Sequence, residues 1–221
     1  MSIKENIKSI KSELPESVTL VAVSKTKPNE DIMKAYDTGH RDFGENKIQD
    51  MVDKYESLPK DINWHMIGHV QSNKVKYMAP FVKLIHGVDS LKLLKEINKQ
   101  AKNNDRTIDC LLQIKIAEED SKFGISAKEA EEIINSDKFK ELKNINVVGL
   151  MGMATYTTDE HKIDEEFKRL QKIFHQFEDK KAPNINLTTI SSGMSGDYKI
   201  ALKNGTTMIR VGSSIFGNRN Y

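Results

Sequence analysis

The chain has 221 residues, of which 38% are hydrophobic and 30% charged, and its formal net charge at pH 7 is +2. These values predict a globular protein with a hydrated surface, and lysines interleaved with acidic residues argue against a nucleic-acid partner. No apolar stretch is long enough to span a membrane and the first residues lack the core of a secretory signal, so we expect no membrane association and a cytoplasmic location. The single Cys110 excludes an internal disulfide and is predicted to be a small buried side chain in a strand.

The chain is predicted to begin with an amphipathic helix. Ser2 and Glu5 have the spacing of a capping box, and four apolar residues recur at helical intervals: Ile3, Ile7, Ile10 and Leu14. Eight short segments then predict strands, at residues 18–24, 41–44, 63–68, 82–86, 107–116, 146–151, 186–191 and 206–211. Helical patterns lie between them, at residues 31–36, 47–55, 72–78, 91–101, 127–134, 163–177 and 198–202.

This alternation predicts the fold class. Eight strands with intervening helices over this length favour an α/β protein of the (β/α)8 TIM barrel type, with an additional N-terminal helix, over an open doubly wound sheet. No linker rich in Pro, Gly or Ser divides the chain, so residues 1–221 are expected to form a single domain. In such a barrel, functional residues collect where strands run into loops at the C-terminal face.

Lys25 lies at the C-terminal end of the first predicted strand. A lysine that emerges there from an apolar strand is a candidate amine nucleophile, because ligands bind at this edge of a barrel. The alternative is an ordinary solvated charge, since the chain carries 34 lysines and arginines. The residues at the other strand ends distinguish between these two roles for Lys25.

Two loops rich in glycine and serine follow the seventh and eighth predicted strands, at residues 191–197 and 210–214. Barrels often bind phosphate in these two loops, because small residues let backbone N–H groups approach the phosphate and serine hydroxyls add donors. Taken singly, each loop is better explained by tight turns at Gly193 or Gly212 and by helix-capping serines. Their position as a pair favours a phosphate site.

Arg210 ends the eighth predicted strand, where a buried cation needs an acceptor, although a structural salt bridge would also satisfy it. A lysine able to form a Schiff base, a phosphate cradle and a nearby arginine describe a site for pyridoxal 5′-phosphate (PLP), whose aldehyde, phosphate and ring nitrogen need three partners. An arginine cannot accept the ring proton, so the ring nitrogen would stay neutral and carbanion chemistry would be restrained.

Other kinds of site have little support. His65 and His69 are four residues apart, but residues 63–68 are predicted to form a strand and no third ligand is evident, so a zinc site is not expected. The sequence has no Gly-x-Gly-x-x-Gly or Walker-type loop, and no Gly-x-Ser-x-Gly elbow that would support a hydrolase triad.

Seven ordered motifs resemble those of the pyridoxal phosphate homeostasis proteins, a family of PLP-binding barrels related to the barrel domain of alanine racemase. They are VAVSKTKP at 21–28, FGEN at 43–46 with Gln49, WHMIG at 64–68 with QSNK at 71–74, SKFG at 121–124, GLMGM at 149–153, SSGMS at 191–195 and RVGSSIFG at 210–217. The resemblance covers nearly the whole chain and implies the same barrel with an extra N-terminal helix.

The resemblance also implies roles for individual residues. Lys25 would form the Schiff base with PLP, Asn46 would lie by the ring, and Arg210 would face the ring nitrogen. The phosphate would be held by Ser191 or Ser195, together with Gly212 and Ser213. Two positions depart from the family pattern, Gly196 in place of the usual Asp and His69-Val70 before Gln71, and neither is expected to affect the Schiff base or the helix start near Asp197.

Catalysis is not expected. The racemase relatives have a second, β-rich domain that supplies a tyrosine base, whereas this chain stops at Tyr221, four residues after Gly217. The resemblance therefore implies a carrier or buffer for PLP in vitamin B6 and amino-acid homeostasis. We expect a monomer, with apo forms of PLP-dependent enzymes as recipients. Two alternatives stay open: a PLP-dependent amino-acid racemase or related enzyme, and a Schiff-base barrel enzyme that acts on a phosphorylated substrate.

Overall fold

Eight parallel strands close into a barrel in the order in which they occur along the chain. The computed structural model describes residues 2–118 and 123–217. The strands are β1 (Thr19–Val23), β2 (Asp42–Glu45), β3 (Asn63–Met66), β4 (Leu84–Val88), β5 (Ile108–Gln113), β6 (Ile145–Met151), β7 (Ile185–Ser191) and β8 (Met208–Val211). Pairing of β8 with β1 closes the ring, with Val21 opposite Arg210.

Helices connect the strands around the outside of the barrel. Those in the described residues are α1 (Ile3–Glu13), α2 (Asn29–Tyr36), α3 (Ile48–Ser57), α4 (Val75–Met78), α5 (Leu91–Asn103), α6 (Ala127–Asn135), α7 (Asp137–Lys140), α8 (Glu160–Glu178), α9 (Tyr198–Lys203) and α10 (Ser213–Phe216). A 3-10 turn at Ser72–Lys74 leads into α4. The (β/α)8 barrel with an additional N-terminal helix is therefore confirmed.

The N-terminal helix is fixed at both its start and its inner face. Ser2 and Glu5 form the expected capping box, in which the Ser2 N–H donates to the Glu5 carboxylate at 2.7 Å. Ile7 and Ile10 are buried, and the Asn6 side chain donates to the Ile215 carbonyl at 2.9 Å. These contacts hold α1 against α10, the helix that follows the last strand.

Two apolar layers surround the strands. The larger lies between the strands and the helices and contains fully buried side chains such as Trp64, Phe43 and Phe167. The smaller fills part of the barrel interior and consists of Val21, Leu84, Leu111, Met151 and Met208. Because alternate residues of a strand point to opposite faces, these positions also identify which side chains of β1, β4, β5, β6 and β8 face inward.

Several strand and helix bounds differ from the prediction. Strand β4 begins two residues later than predicted, since the carbonyl of Val82 accepts a hydrogen bond from the Arg106 side chain at 2.7 Å instead of extending the sheet. Helices α7 and α10 were not predicted, because a four-residue helix is too short to show a period.

Cys110 is buried in β5, as expected. Within the described ranges, no helix has the length and apolar character needed to cross a membrane.

Candidate functional site

A cavity of about 650 Å³ opens at the C-terminal ends of the strands. Six of the seven residues predicted for the site line it: Lys25, Asn46, Ser195, Arg210, Gly212 and Ser213. The barrel therefore brings together side chains that lie up to 188 positions apart in the sequence, between Lys25 and Ser213. Ser191, the seventh, is fully buried below the cavity and is not among the lining residues.

Lys25 occupies a tight turn directly after β1. The Ser24 carbonyl accepts a hydrogen bond from the Lys27 N–H at 3.0 Å, which places Lys25 and Thr26 at the two central positions of the turn. Thr26 has a φ of +65°, a conformation that β-branched residues rarely adopt. Such strained backbone persists only where the surrounding contacts enforce it. The turn thus fixes the backbone position of Lys25 at the wall of the cavity.

A buried ion pair beneath Lys25 anchors Ser24, the first residue of the turn. The Lys54 ammonium lies 2.8 Å from the Glu45 carboxylate and donates to the Ser24 carbonyl at 2.9 Å, and the Ser24 hydroxyl donates to the same carboxylate at 2.5 Å. Burial raises the pKa of Glu45, whereas Lys54 and Ser24 oppose that rise. No sequence motif predicted this cluster. Ser24 and Glu45 precede the inward-facing Lys25 and Asn46, so the alternation of side chains along a strand turns them toward the helices.

Asn46 follows β2 and comes close to the end of β3. A side chain on Gly68 would overlap the backbone carbonyl of Asn46, so a glycine is required for this approach. Gly68 itself lines the cavity together with Asn46. Gly68 of the WHMIG motif therefore leaves the space that the backbone of Asn46 needs to reach this position.

Arg210 is a buried cation that faces the cavity. Only 4% of the residue is exposed, and burial lowers the pKa of the guanidinium to about 10, with Asp197 acting in the opposite direction. Its side chain donates to the Ser191 hydroxyl at 2.5 Å and to the Gly152 carbonyl at 3.2 Å. Within the described residues both acceptors are neutral oxygens, so the positive charge lacks the carboxylate partner that buried arginines usually have.

The glycine and serine loops after β7 and β8 are bonded to each other. The Ser195 hydroxyl oxygen accepts from the N–H groups of Gly212 and Ser214 at 3.2 and 3.4 Å. Gly193 has a φ of +86°, which favours glycine, and its carbonyl accepts from the Arg210 N–H at 3.0 Å. The two loops therefore form one surface on which backbone N–H groups and a hydroxyl converge.

The sequence did not decide whether Ser191 or Ser195 would contact the phosphate, and the two serines have different positions in the structure. Ser195 follows the turn at Gly193 and lines the cavity. Ser191 is the last residue of β7 and accepts the hydrogen bond from Arg210. Ser195 can therefore contact a ligand directly, whereas Ser191 acts on Arg210.

The remaining candidates lie around the rim or in the interior. His69 stacks on Phe123 with ring centroids 4.7 Å apart, and its Nδ1 lies 3.5 Å from the Asp89 carboxylate. His65 points into the barrel interior. Of the SKFG motif, Phe123 lines the cavity, while Ser121 and Lys122 lie outside the described residues. At the Gly196 departure, helix α9 still begins at Tyr198, directly after Asp197.

Comparisons with known proteins agree with this fold. Residues 1–220 match the family described as the N-terminal domain of alanine racemase. Alanine racemase from Clostridium difficile 630 has the same fold, with a TM-score of 0.78 at 15% identity over 100% of this chain and 57% of that one. The protein is thus a barrel of the alanine racemase N-terminal class.

Relatives with higher sequence identity define the family within this class. Proteins from Aquifex aeolicus and Escherichia coli K12, both named pyridoxal phosphate homeostasis protein, are 35% and 36% identical to it over 91% and 94% of this chain and 87% and 88% of their own length. The structure of PipY from Synechococcus elongatus PCC7942 with PLP bound has a TM-score of 0.88 at 32% identity, over 98% of this chain and all of that one. The chain belongs to the family of pyridoxal phosphate homeostasis proteins.

Proposed function

We propose that the cavity binds PLP and that the protein serves as a carrier or buffer in vitamin B6 and amino-acid homeostasis. The observation that carries the proposal is the convergence of Lys25, the buried Arg210 and the joined glycine and serine loops on one cavity. The names of the relatives from Aquifex aeolicus and Escherichia coli and the PLP bound to PipY support it.

The residues fit the three polar parts of PLP. The Ser195 oxygen accepts from the N–H groups of Gly212 and Ser214, which leaves the hydroxyl proton of Ser195 to donate to a phosphate. Arg210 can only donate, so it suits a neutral ring nitrogen or another acceptor. Asn46 lies on the wall of the same cavity and would contact the ring. Ser213 would add a hydroxyl beside the phosphate.

Lys25 would hold the group covalently. PLP supplies an aldehyde, and condensation with the Lys25 amine forms a C=N bond and releases one water molecule. This Schiff base is reversible, because water can restore the aldehyde and the free amine. A reversible bond on a lysine at the cavity wall suits a protein that stores a reactive aldehyde and releases it to other proteins.

The character of Arg210 favours storage over catalysis. An acidic partner at the ring nitrogen would keep that nitrogen protonated and the ring strongly electron-withdrawing, whereas an arginine leaves it neutral. Carbanions formed next to such a ring are poorly stabilised. We accordingly propose a non-catalytic, single-domain monomer in the cytoplasm, with apo forms of PLP-dependent enzymes as its recipients.

Absorption spectroscopy with purified protein tests the proposal. Protein incubated with PLP should absorb near about 420 nm, the band of a protonated Schiff base of this cofactor, and borohydride should bleach it. Screening amino acids for racemisation or transamination then tests the absence of catalysis. Absence of the band would refute PLP binding through a Schiff base, and turnover that is lost in Lys25→Ala would establish the enzymatic alternative.

A further inference from the structure

A chain of polar side chains crosses the interior of the barrel below the cavity. In barrels of this type the interior is usually filled with layers of aliphatic side chains. Here the apolar interior cluster shares that space with five polar residues that are linked by hydrogen bonds, in the order Asp42, His65, His86, Ser191 and Arg210. The links measure 3.1, 3.0, 3.0 and 2.5 Å.

The chain passes from one side of the barrel to the other. His86 belongs to β4 and Ser191 to β7, which are not neighbouring strands, so their hydrogen bond spans the interior. His86 and Ser191 are fully buried, whereas the Asp42 side chain at the other end is 28% exposed. Burial of these polar groups would be unfavourable without partners, and a fully bonded network instead fixes each side chain in place.

The donor at one end of the chain and the carboxylate at the other set the direction of the hydrogen bonds when each histidine ring carries one proton. Arg210 can only donate, so the Ser191 oxygen accepts from it. The hydroxyl keeps one proton of its own, and its other side-chain partner in the described part of the protein is Nδ1 of His86, so we assign Nδ1 as the acceptor of that proton. Burial holds the pKa of His86 well below its usual range, so the ring is neutral and carries its proton on Nε2.

The same logic continues to the carboxylate. Nε2–H of His86 donates to Nδ1 of His65, and Nε2–H of His65 then donates to Asp42. With one proton on each ring, the opposite direction would leave the Ser191 proton without this acceptor and would turn a lone pair of His65 toward the Asp42 carboxylate, which can only accept. A single neutral arrangement therefore satisfies all four links.

We propose that His86, acting through Ser191, is a positioning residue that holds the guanidinium of Arg210 against the cavity and thereby sets its affinity for PLP. This inference rests on the proposed function of the cavity. His86 lies below the cavity wall, so its effect passes through Arg210 rather than through contact with the ligand. Without an acceptor at His86, the Ser191 hydroxyl loses the side-chain partner that fixes its orientation, so its lone pairs are no longer held toward Arg210.

Two substitutions at one position separate positioning from packing. In His86→Asn, the side-chain oxygen replaces Nδ1 as acceptor, whereas His86→Leu fills a similar volume without one. We expect the dissociation constant for PLP to rise about tenfold or more in His86→Leu, as for a lost hydrogen bond to a charged group, and to stay within about threefold of wild type in His86→Asn. Ser191→Ala should show the same loss as His86→Leu, and the double variant should be no weaker than either single one.

Nitrogen-15 NMR of the protein without PLP provides a second, independent readout. Both His65 and His86 should show the Nε2–H tautomer, and this result does not depend on any ligand or on the folding of a variant. Circular dichroism and thermal unfolding verify that each variant is folded. Wild-type affinity in His86→Leu, equal loss in the two His86 variants, or an Nδ1–H tautomer at His86 would each overturn the positioning role. Failure of the wild-type protein itself to bind PLP would instead refute the proposed function.

Discussion

The buried ion pair between Lys54 and Glu45 should be essential for stability, and Lys54→Met tests it. The substitution keeps a long apolar side chain but removes the cation that contacts both the Glu45 carboxylate and the Ser24 carbonyl. Glu45 is fully buried, and its Oε2 has no hydrogen-bond partner among the described residues. The carboxylate would therefore stay buried without a counter-ion, and it would take up a proton instead of remaining charged.

The size of the effect follows from the pKa of the carboxyl group. A glutamate in an unfolded chain has a pKa of about 4.3, and each pH unit corresponds to about 1.36 kcal/mol, so holding Glu45 protonated at pH 7 costs up to about 3.7 kcal/mol. This agrees with the range of about 3–5 kcal/mol for the loss of one partner of a buried pair. For a protein of this length, the melting temperature should fall by about 7–15 °C.

The pH dependence distinguishes this explanation from a simple packing defect. Burial raises the pKa of Glu45 in the folded state, so the folded variant binds more protons than the unfolded chain, and its deficit grows as pH rises above the unfolded pKa. At pH 5 the deficit should shrink to about 1 kcal/mol. Urea denaturation of wild type and variant at both pH values measures this loss of unfolding free energy. Lys34→Met is the control, because Lys34 pairs with Asp31 on the surface and that pair should contribute less than about 1 kcal/mol. An equal deficit at pH 5 and pH 7 would refute the reasoning.

Two further predictions concern the barrel wall. Gly149→Ala should lower the free energy of unfolding by about 3 kcal/mol, because a Cβ there would overlap the backbone carbonyl of Thr189 on the neighbouring strand. Gly196→Ala is the control, because the added carbon meets open space there, and equal losses of stability in the two variants on denaturation would contradict this explanation. Cys110 should react with a thiol reagent only after unfolding, since the thiol is fully buried and burial raises its pKa; rapid labelling of the native protein would contradict its placement.

The strands could be predicted from the sequence because most of them are short apolar runs and all of them alternate with helical patterns or polar loops. The position of Lys25, Arg210 and the glycine and serine loops at strand ends follows from the same alternation. Their shared cavity then requires only that the barrel closes, which the pairing of β8 with β1 accomplishes. For these residues, local pattern and overall fold give the same answer.

The contacts behind the cavity wall could not be predicted in the same way. The hydrogen bond between His86 and Ser191 joins residues 105 positions apart on opposite sides of the barrel, and no local pattern encodes that pairing. The choice between Ser191 and Ser195 depends on Gly193, whose positive φ interrupts the alternation of side chains after β7. Sequence pattern therefore located the strand ends, while the depth of each side chain depended on three-dimensional register.

The most direct test of the central claim is to locate the covalent attachment of PLP. Protein incubated with PLP, reduced with borohydride and digested should yield one modified peptide, with the pyridoxyl group on Lys25. Lys27→Gln provides the matched control, because Lys27 lines the same cavity two residues away and its ammonium donates to the carbonyl of Phe216 at 3.1 Å. We predict that the adduct persists in Lys27→Gln and is lost in Lys25→Ala. An adduct on another lysine, or one that survives in Lys25→Ala, would contradict the account.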